Sequence, residues 1–250
     1  MRRIGGNKII INLRINISVG MIMKRCFSIL ILLTVNIICG FSQITLLPNY
    51  VLKSHETLEI NKIEITSRTT VIYMSIENRT NGGYFCADKN IFIIYPDGTR
   101  NKLTLSNGIP VCPNNYRFKT IGEKLDFTLV FSALKTGTEW IDLIEECADH
   151  CFSFYGINLD SDLNKKIDDA FALAETDKPA DALYSFIRIA EDTDNKNHGI
   201  EGLLYINIIK LARETGNPEK ASEWYHRMIS SDAPGLSRYI KYLNDQGISY

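Results

Sequence analysis

Residues 124–131 have the sequence Lys124-Leu125-Asp126-Phe127-Thr128-Leu129-Val130-Phe131. Every second residue of this run is a large apolar one, and the residues between them are mostly polar. Because successive side chains of a β-strand point to opposite faces of a sheet, a period of two predicts a strand with one buried side and one solvent-facing side. Such strands are typical of antiparallel sheets.

Other short apolar runs surround this one throughout residues 43–160. They predict strands over residues 44–47, 58–65, 70–76, 91–95, 102–105, 125–131, 140–144 and 152–159. Turn-forming residues separate these runs, and Pro96-Asp97-Gly98 is the strongest hairpin signal among them. The pattern predicts an antiparallel β-sandwich of the immunoglobulin-like kind, although the Cys–Trp–Cys core signature of that family is absent.

The apolar pattern changes near residue 160 to the spacing of an amphipathic helix. Ser161 or Asp162 can cap a first helix, and Pro179 suits the first turn of a second helix over residues 180–190. Three further helices are predicted over residues 199–215, over residues 219–230, and from Pro234 to near Gly247. The sequence therefore predicts a multidomain α and β protein, with a β-sandwich domain over residues 43–160 followed by an α-helical domain over residues 161–250.

The second and fourth predicted helices share an alanine that is followed four residues later by an aromatic residue. These pairs are Ala182 with Phe186 and Ala221 with Tyr225. Residues 216–225, with the sequence Gly-Asn-Pro-Glu-Lys-Ala-Ser-Glu-Trp-Tyr, resemble the turn and second helix of a tetratricopeptide repeat. The resemblance implies two helical hairpins and a final helix, and a small irregular helical domain is the alternative.

The tetratricopeptide resemblance also implies a binding surface, because the first helix of each hairpin would line a concave face. Matched to the repeat, this face is expected to carry Asn164 and Phe171 from the first hairpin and Lys210 and Arg213 from the second. Lys210 and Arg213 are three residues apart, which places them on one side of a helix. Two cations there are expected to attract an acidic peptide or a chain terminus. Ordinary helix-surface charge is the alternative.

The N-terminus has the features of a signal peptide in their usual order. Two basic residues precede an apolar run over residues 26–39, which is shorter than the about 20 residues that a membrane-spanning helix needs. Small residues at Gly40 and Ser42 predict cleavage that leaves Gln43 first. We therefore predict an upstream extension over residues 1–20, a signal peptide over residues 21–42, and a protein that is periplasmic, on the cell surface or secreted. A lipid anchor on Cys39 and a buried N-terminal helix are the alternatives.

The four cysteines that follow residue 42 predict two disulfides in an exported chain. Cys147 and Cys151 would face each other across a hairpin that turns at residues 148–150, at a separation that a disulfide can bridge. That pairing leaves Cys86 with Cys112. A metal site that combines His150 with three thiols, or a redox-active cysteine pair, is the alternative.

Charge and motifs exclude several classes of function. Six of the 28 basic residues and none of the 29 acidic residues precede Gln43, so the rest of the chain has a net charge of −7. An acidic protein is not expected to bind nucleic acid, which needs a basic surface. The four histidines lie outside metalloprotease and hydrolase motifs, and the sequence has no glycine-rich phosphate loop. We therefore predict no catalytic residue, no metal and no cofactor, and contact with a membrane only through the signal peptide.

The predicted function is protein or peptide binding, or assembly, in the bacterial envelope and without catalysis. Residues 137–145 and 154–157 resemble the closing strands of accessory β domains in secreted bacterial proteins. The alternative is a carbohydrate-binding or enzyme-accessory β-sandwich, or a hydrolase with dispersed residues. A stacking platform for sugar would consist of Tyr84, Phe85, Tyr116, Trp140 and Tyr155, for which core packing is the other explanation.

Overall fold

Strands occupy the first part, and helices the second part, of the residues that the structure describes. The structure is a computed structural model, and it describes residues 42–193 and 198–250. The strands are β1 (Gln43–Leu46), β2 (Leu52–Lys53), β3 (Leu58–Ile65), β4 (Thr69–Glu77), β5 (Tyr84–Phe85), β6 (Ile91–Ile94), β7 (Arg100–Lys102), β8 (Leu105–Asn107), β9 (Tyr116–Arg117), β10 (Lys124–Ser132), β11 (Trp140–Glu145) and β12 (Ser153–Asn158). The helices are α1 (Ser161–Glu175), α2 (Pro179–Asp192), α3 (Glu201–Glu214), α4 (Pro218–Ile229) and α5 (Leu236–Asp245). The predicted extension and all but the last residue of the predicted signal peptide lie outside the described residues.

The first sheet has five antiparallel strands in the order β1-β3-β4-β10-β8. β10 contains the alternating run of residues 124–131, and its register on β4 places Phe127 opposite Met74 and Leu129 opposite Ile72. The four large apolar residues of β10 are buried, whereas Asp126 is exposed. The prediction of an antiparallel strand with one buried face is therefore confirmed.

The second sheet also has five antiparallel strands, in the order β2-β12-β11-β6-β7, and β5 pairs with β9 in a separate sheet. Buried residues of both five-stranded sheets belong to one hydrophobic cluster. β10 contributes Phe131 to it from the first sheet, and β12 contributes Phe154 from the second. The two sheets therefore share one core.

The structure corrects the strand that was predicted over residues 102–105. β7 ends at Lys102 and β8 begins at Leu105, and the two strands belong to different sheets. Between them the Thr104 amide donates a hydrogen bond to the Val130 carbonyl at 2.8 Å. β2, β5 and β9 escaped prediction because two residues are too few to show a period of two.

The five helices lie close to their predicted positions. Asp160, which precedes both predicted caps, caps α1 by accepting the amide hydrogens of Asp162 and Leu163. Pro179 and Pro218 occupy the first turns of α2 and α4, where an amide hydrogen would have no partner within the helix. Consecutive helices from α1 to α4 pack against each other, and α5 packs on α3 and α4. Within the described ranges, no helix has both the length and the apolar character needed to span a membrane.

Both predicted disulfides are present, Cys86–Cys112 and Cys147–Cys151. β11 and β12 form the antiparallel hairpin that brings Cys147 and Cys151 together, with Cα atoms 5.5 Å apart. Both disulfides lie in the β part of the molecule, which we define as residues 42–160. The helical part consists of residues 161–193 and 198–250.

Candidate functional site

α3 is the central helix of the helical part and has only a narrow exposed stripe. Nine of its 14 residues are buried, because it packs against α2, α4 and α5. Near its C-terminal end Lys210, Arg213 and Glu214 are exposed, and Asn207 is half-buried one turn earlier. Since residues three and four apart share a helix face, these four residues form one polar stripe on the helix.

A groove of about 370 Å³ lies beside this stripe, and we call it the junction groove because both parts of the molecule line it. The β part contributes residues 47–52 and 59–60. The helical part contributes Phe171 of α1, Tyr242 of α5, and Leu203, Ile206, Asn207 and Lys210 of α3. Most of the lining residues are apolar, but the surface that they expose in the groove is about as much polar as apolar.

Residues 49–52 form one wall of the junction groove because they pair with the edge of the second sheet. The Val51 amide donates to the Tyr155 carbonyl at 2.8 Å, and the Asn158 amide donates to the Asn49 carbonyl at 2.8 Å. Leu52 continues this pairing in β2. The side chain of Val51 is buried in the hydrophobic cluster of the helices. Backbone pairing on one side and apolar burial on the other hold this wall in place.

Asn164 ties α1 to the same wall and is not available to a ligand. Its Oδ1 accepts hydrogen bonds from the Asn49 amide at 3.0 Å and from the side-chain nitrogens of Asn49 and Asn158, both at 3.2 Å. Its Nδ2 donates to the Asn158 carbonyl at 3.0 Å. With Asn164 only 4% exposed, the structure corrects the expectation that it contacts a peptide. A buried amide is stable only when its polar atoms are paired, and here the protein itself pairs them.

Phe171 and Lys210, two of the other predicted peptide-binding residues, both line the junction groove. The ring of Phe171 contacts Phe186 edge-on, with ring centroids 5.1 Å apart. The Lys210 ammonium lies 5.8 Å from the centroid of the Tyr242 ring. Arg213 lies outside the lining, and its Nη1 donates to the Gly247 carbonyl at 3.4 Å. The structure therefore brings two of the four predicted residues to one site.

The charges on the two sides of the junction groove are unequal. On the β side, the Glu59 carboxylate pairs with the Lys53 ammonium and accepts a hydrogen bond from the Tyr50 hydroxyl at 3.2 Å. Burial and the Glu59 charge raise the pKa of Tyr50, so that its hydroxyl stays protonated. On the helical side, Lys210 has no ion-pair partner among residues 42–193 and 198–250. Of the two charged residues that line the groove, Lys210 is therefore the one without an ion pair among the described residues.

The five aromatic residues considered for sugar binding do not share one exposed face. Tyr84 is exposed, but Trp140 is buried, with its indole against the loop that precedes α3. Phe85 packs near two phenylalanines of the β core. The Tyr116 hydroxyl donates to a glutamate at 2.7 Å, and a guanidinium carbon lies 4.0 Å from the centroid of the Tyr155 ring. Most of these rings therefore already contact other residues of the protein and do not form a shared platform.

Two half-buried acids also lie where the two parts meet. The Asp142 carboxylate accepts the Gly156 amide hydrogen at 2.7 Å, and burial raises the pKa of Asp142 and of Glu201. Burial and these two carboxylates also raise the pKa of Tyr239. Neither acid lines the junction groove. Within the described part of the chain, no three His, Cys, Asp or Glu side chains are placed to hold a metal ion.

In comparisons with known proteins, the chain matches no family model, no curated protein and no solved structure. The sequence pattern predicted a site on the helices alone and did not indicate residues 47–52 or Tyr242. The one available signal was the apolar pair Val51-Leu52 between two predicted strands, and nothing local shows what such a pair will contact.

Proposed function

We propose that this chain is an exported, non-catalytic protein of the bacterial envelope that binds a segment of another protein in the junction groove. The groove carries the proposal because it combines apolar and polar surface, the held ring of Phe171 and the Lys210 ammonium, which has no ion pair among the described residues. A concave site that combines apolar and aromatic side chains with a few polar groups is typical of binding sites.

The finer features of the fold belong to the same proposal. We take the β part as an immunoglobulin-like sandwich, which the shared core of the two sheets supports. We take α1–α4 as two tetratricopeptide-like hairpins with α5 as a final helix, which the packing of consecutive helices supports. In this arrangement the binding site lies where the hairpins meet the sandwich.

Export is proposed because the paired cysteines suit an oxidising compartment. β1 begins at Gln43, the residue that cleavage after Ser42 would leave first. The intact mass of protein purified from its native envelope fraction is the test, and we expect the mass of a chain that starts at Gln43. A native protein that retains Met1 or Met23 would contradict cleavage at this site.

Binding in the groove can be tested by placing a photo-crosslinking amino acid at Asn207, which lines it. The matched control carries the same amino acid at Asp126, an exposed position of β10. After irradiation in an envelope extract, we expect a defined partner protein joined to position 207 and not to position 126. The purified partner should then bind the wild-type protein more tightly than the Lys210→Glu variant. Equal crosslinking from both positions would contradict a site in the groove.

A further inference from the structure

We propose that the junction groove accepts an internal, extended segment of its partner that carries one large apolar side chain and an acidic residue near it. This inference rests on the proposed function, because it names the chemistry of the segment that the groove would bind.

The apolar part of the recognition comes from apolar and aromatic side chains of the helical part that line the groove. Leu203 and Ile206 do so at 8% and 5% exposure, together with the rings of Phe171 and Tyr242. A volume of about 370 Å³ is near the lower end of the about 300–1,000 Å³ that ligand sites usually have. It therefore suits one large apolar side chain and the backbone next to it better than a helix or a folded surface.

The acidic part comes from Lys210, which lines the same groove. Lys210 is exposed, belongs to the same helix as Leu203 and Ile206, and has no ion-pair partner within the described ranges. A carboxylate in the bound segment is the group that complements this ammonium. An acidic residue near the apolar one is therefore favoured over a neutral or basic one.

The polar side chain of Asn207 favours a peptide backbone. Its Nδ2 donates to the Leu203 carbonyl at 2.8 Å, which leaves Oδ1 as the acceptor that a ligand can use. A peptide amide hydrogen is a suitable donor. A free chain terminus is usually captured by several backbone amide hydrogens, whereas this groove offers one flexible ammonium. The partner's carboxylate is therefore assigned to a side chain within the segment.

Three capped peptides test the charge requirement: acetyl-Ser-Leu-Glu-Ser-amide and its counterparts with Gln or Lys in place of Glu. Each is titrated into the isotopically labelled protein and followed by NMR shifts of Phe171, Leu203, Ile206 and Tyr242. An exposed ion pair contributes about 0.2–1 kcal/mol, so we expect the Glu peptide to bind up to about fivefold more tightly than the Gln peptide. Lys210→Glu should reverse the order in favour of the Lys peptide. Lys89→Glu, an exposed lysine of the β part, makes the same change in net charge and should preserve the wild-type order.

The outcomes separate this inference from the proposed function. Equal shifts of the groove residues with all three peptides would overturn the acidic requirement and leave binding in the groove intact. Tighter, Lys210-dependent binding of acetyl-Ser-Ser-Leu with a free carboxylate would overturn the assignment to an internal segment. If no peptide shifts these residues and position 207 also captures no partner, both proposals are wrong.

Discussion

The β part and the helical part differ in whether each completes its own hydrophobic core. All buried residues of the β core come from positions 58–159. The helical core includes Val51 together with positions 163–248, and Leu52 packs against it. The β part therefore supplies its own buried side chains, whereas the helical part takes one from a segment that lies before most of the β part.

The crosslinks and hydrogen bonds show the same asymmetry. Both disulfides join residues of the β part. α1 depends on residues of the β part for its Asn164 hydrogen bonds, through Asn49 and Asn158. The β part therefore has a hydrophobic core of its own, to which the helices are attached, and the junction groove exists only when both parts are present.

Cutting the chain between the two parts should have the largest effect. We expect residues 43–160 to fold alone with both disulfides formed, because their core is complete. Residues 161–250 should melt at a much lower temperature than the whole protein, since burial of one Val side chain stabilises a fold by about 1.5–3 kcal/mol. Circular dichroism melts of both fragments and of the undivided protein measure this. A stable helical fragment beside an unfolded β fragment would reverse the comparison.

A methyl group at Gly156 should disturb the contact between the parts. Gly156 has φ of 63°, and a Cβ there would collide with the carbonyl oxygen of Gly199, which precedes α3. Gly216 has a similar φ of 72° but open space around its Cα, so Gly216→Ala is the matched control. The unfavourable φ alone costs about 1–2 kcal/mol, and the collision should add about 1–3 kcal/mol in Gly156→Ala. Urea unfolding of both variants gives the difference, and equal losses would show that the parts do not approach closely here.

Asn164→Ala should weaken the attachment of α1 by a smaller amount. It removes the partner of the Asn49 amide and of the Asn158 side chain, and an unpaired buried polar group costs about 1–3 kcal/mol. Asn244→Ala, at an exposed position of α5, is the matched control and should stay within about 0.5 kcal/mol of the wild type. Chemical unfolding followed by circular dichroism measures both changes. Indistinguishable variants would mean that this network does not contribute to joining the parts.

These results separate what local sequence encodes from what it does not. β10 was predictable because its large apolar residues alternate with mostly polar ones, and this alternation shows which side of the strand is buried. The disulfide Cys147–Cys151 was predictable because a hairpin that turns between the two cysteines brings them close enough to bond. The two-residue strands are too short to show such a pattern, and their pairing depends on where the longer strands place them.

The site was predictable only on its helical side. Phe171 and Lys210 were found because helix periodicity shows which residues share a face. Asn164 was misassigned because an asparagine on a helix looks exposed until a distant segment, here at Asn49, covers it. Tertiary contacts decide whether a polar side chain binds a ligand or its own protein. A local sequence pattern does not show these contacts.

The smallest effect is expected for the pH dependence of stability at the junction. Burial raises the pKa of Asp142, although the hydrogen bond from Gly156 and the charge of Arg238 act to lower it. A carboxyl whose pKa is higher in the folded than in the unfolded protein stabilises the fold below the unfolded value, about 3.9 for Asp. That contribution is lost as the pH rises through the folded pKa, because the folded state then binds more protons than the unfolded state. Asp142→Asn keeps an Oδ1 acceptor for Gly156 and removes the titration.

We therefore expect the free energy of unfolding of Asp142→Asn to rise relative to the wild type between pH 4 and pH 7. Asp126→Asn removes an exposed carboxylate of β10 and should follow the wild type across the same range. Urea unfolding at pH 4, 5.5 and 7 provides the three curves. A constant offset between Asp142→Asn and the wild type would show that Asp142 titrates alike in both states. In that case water reaches the junction more freely than the burial of Asp142 implies, and the helices are attached to the scaffold less tightly than the contacts of Val51 and Asn164 indicate.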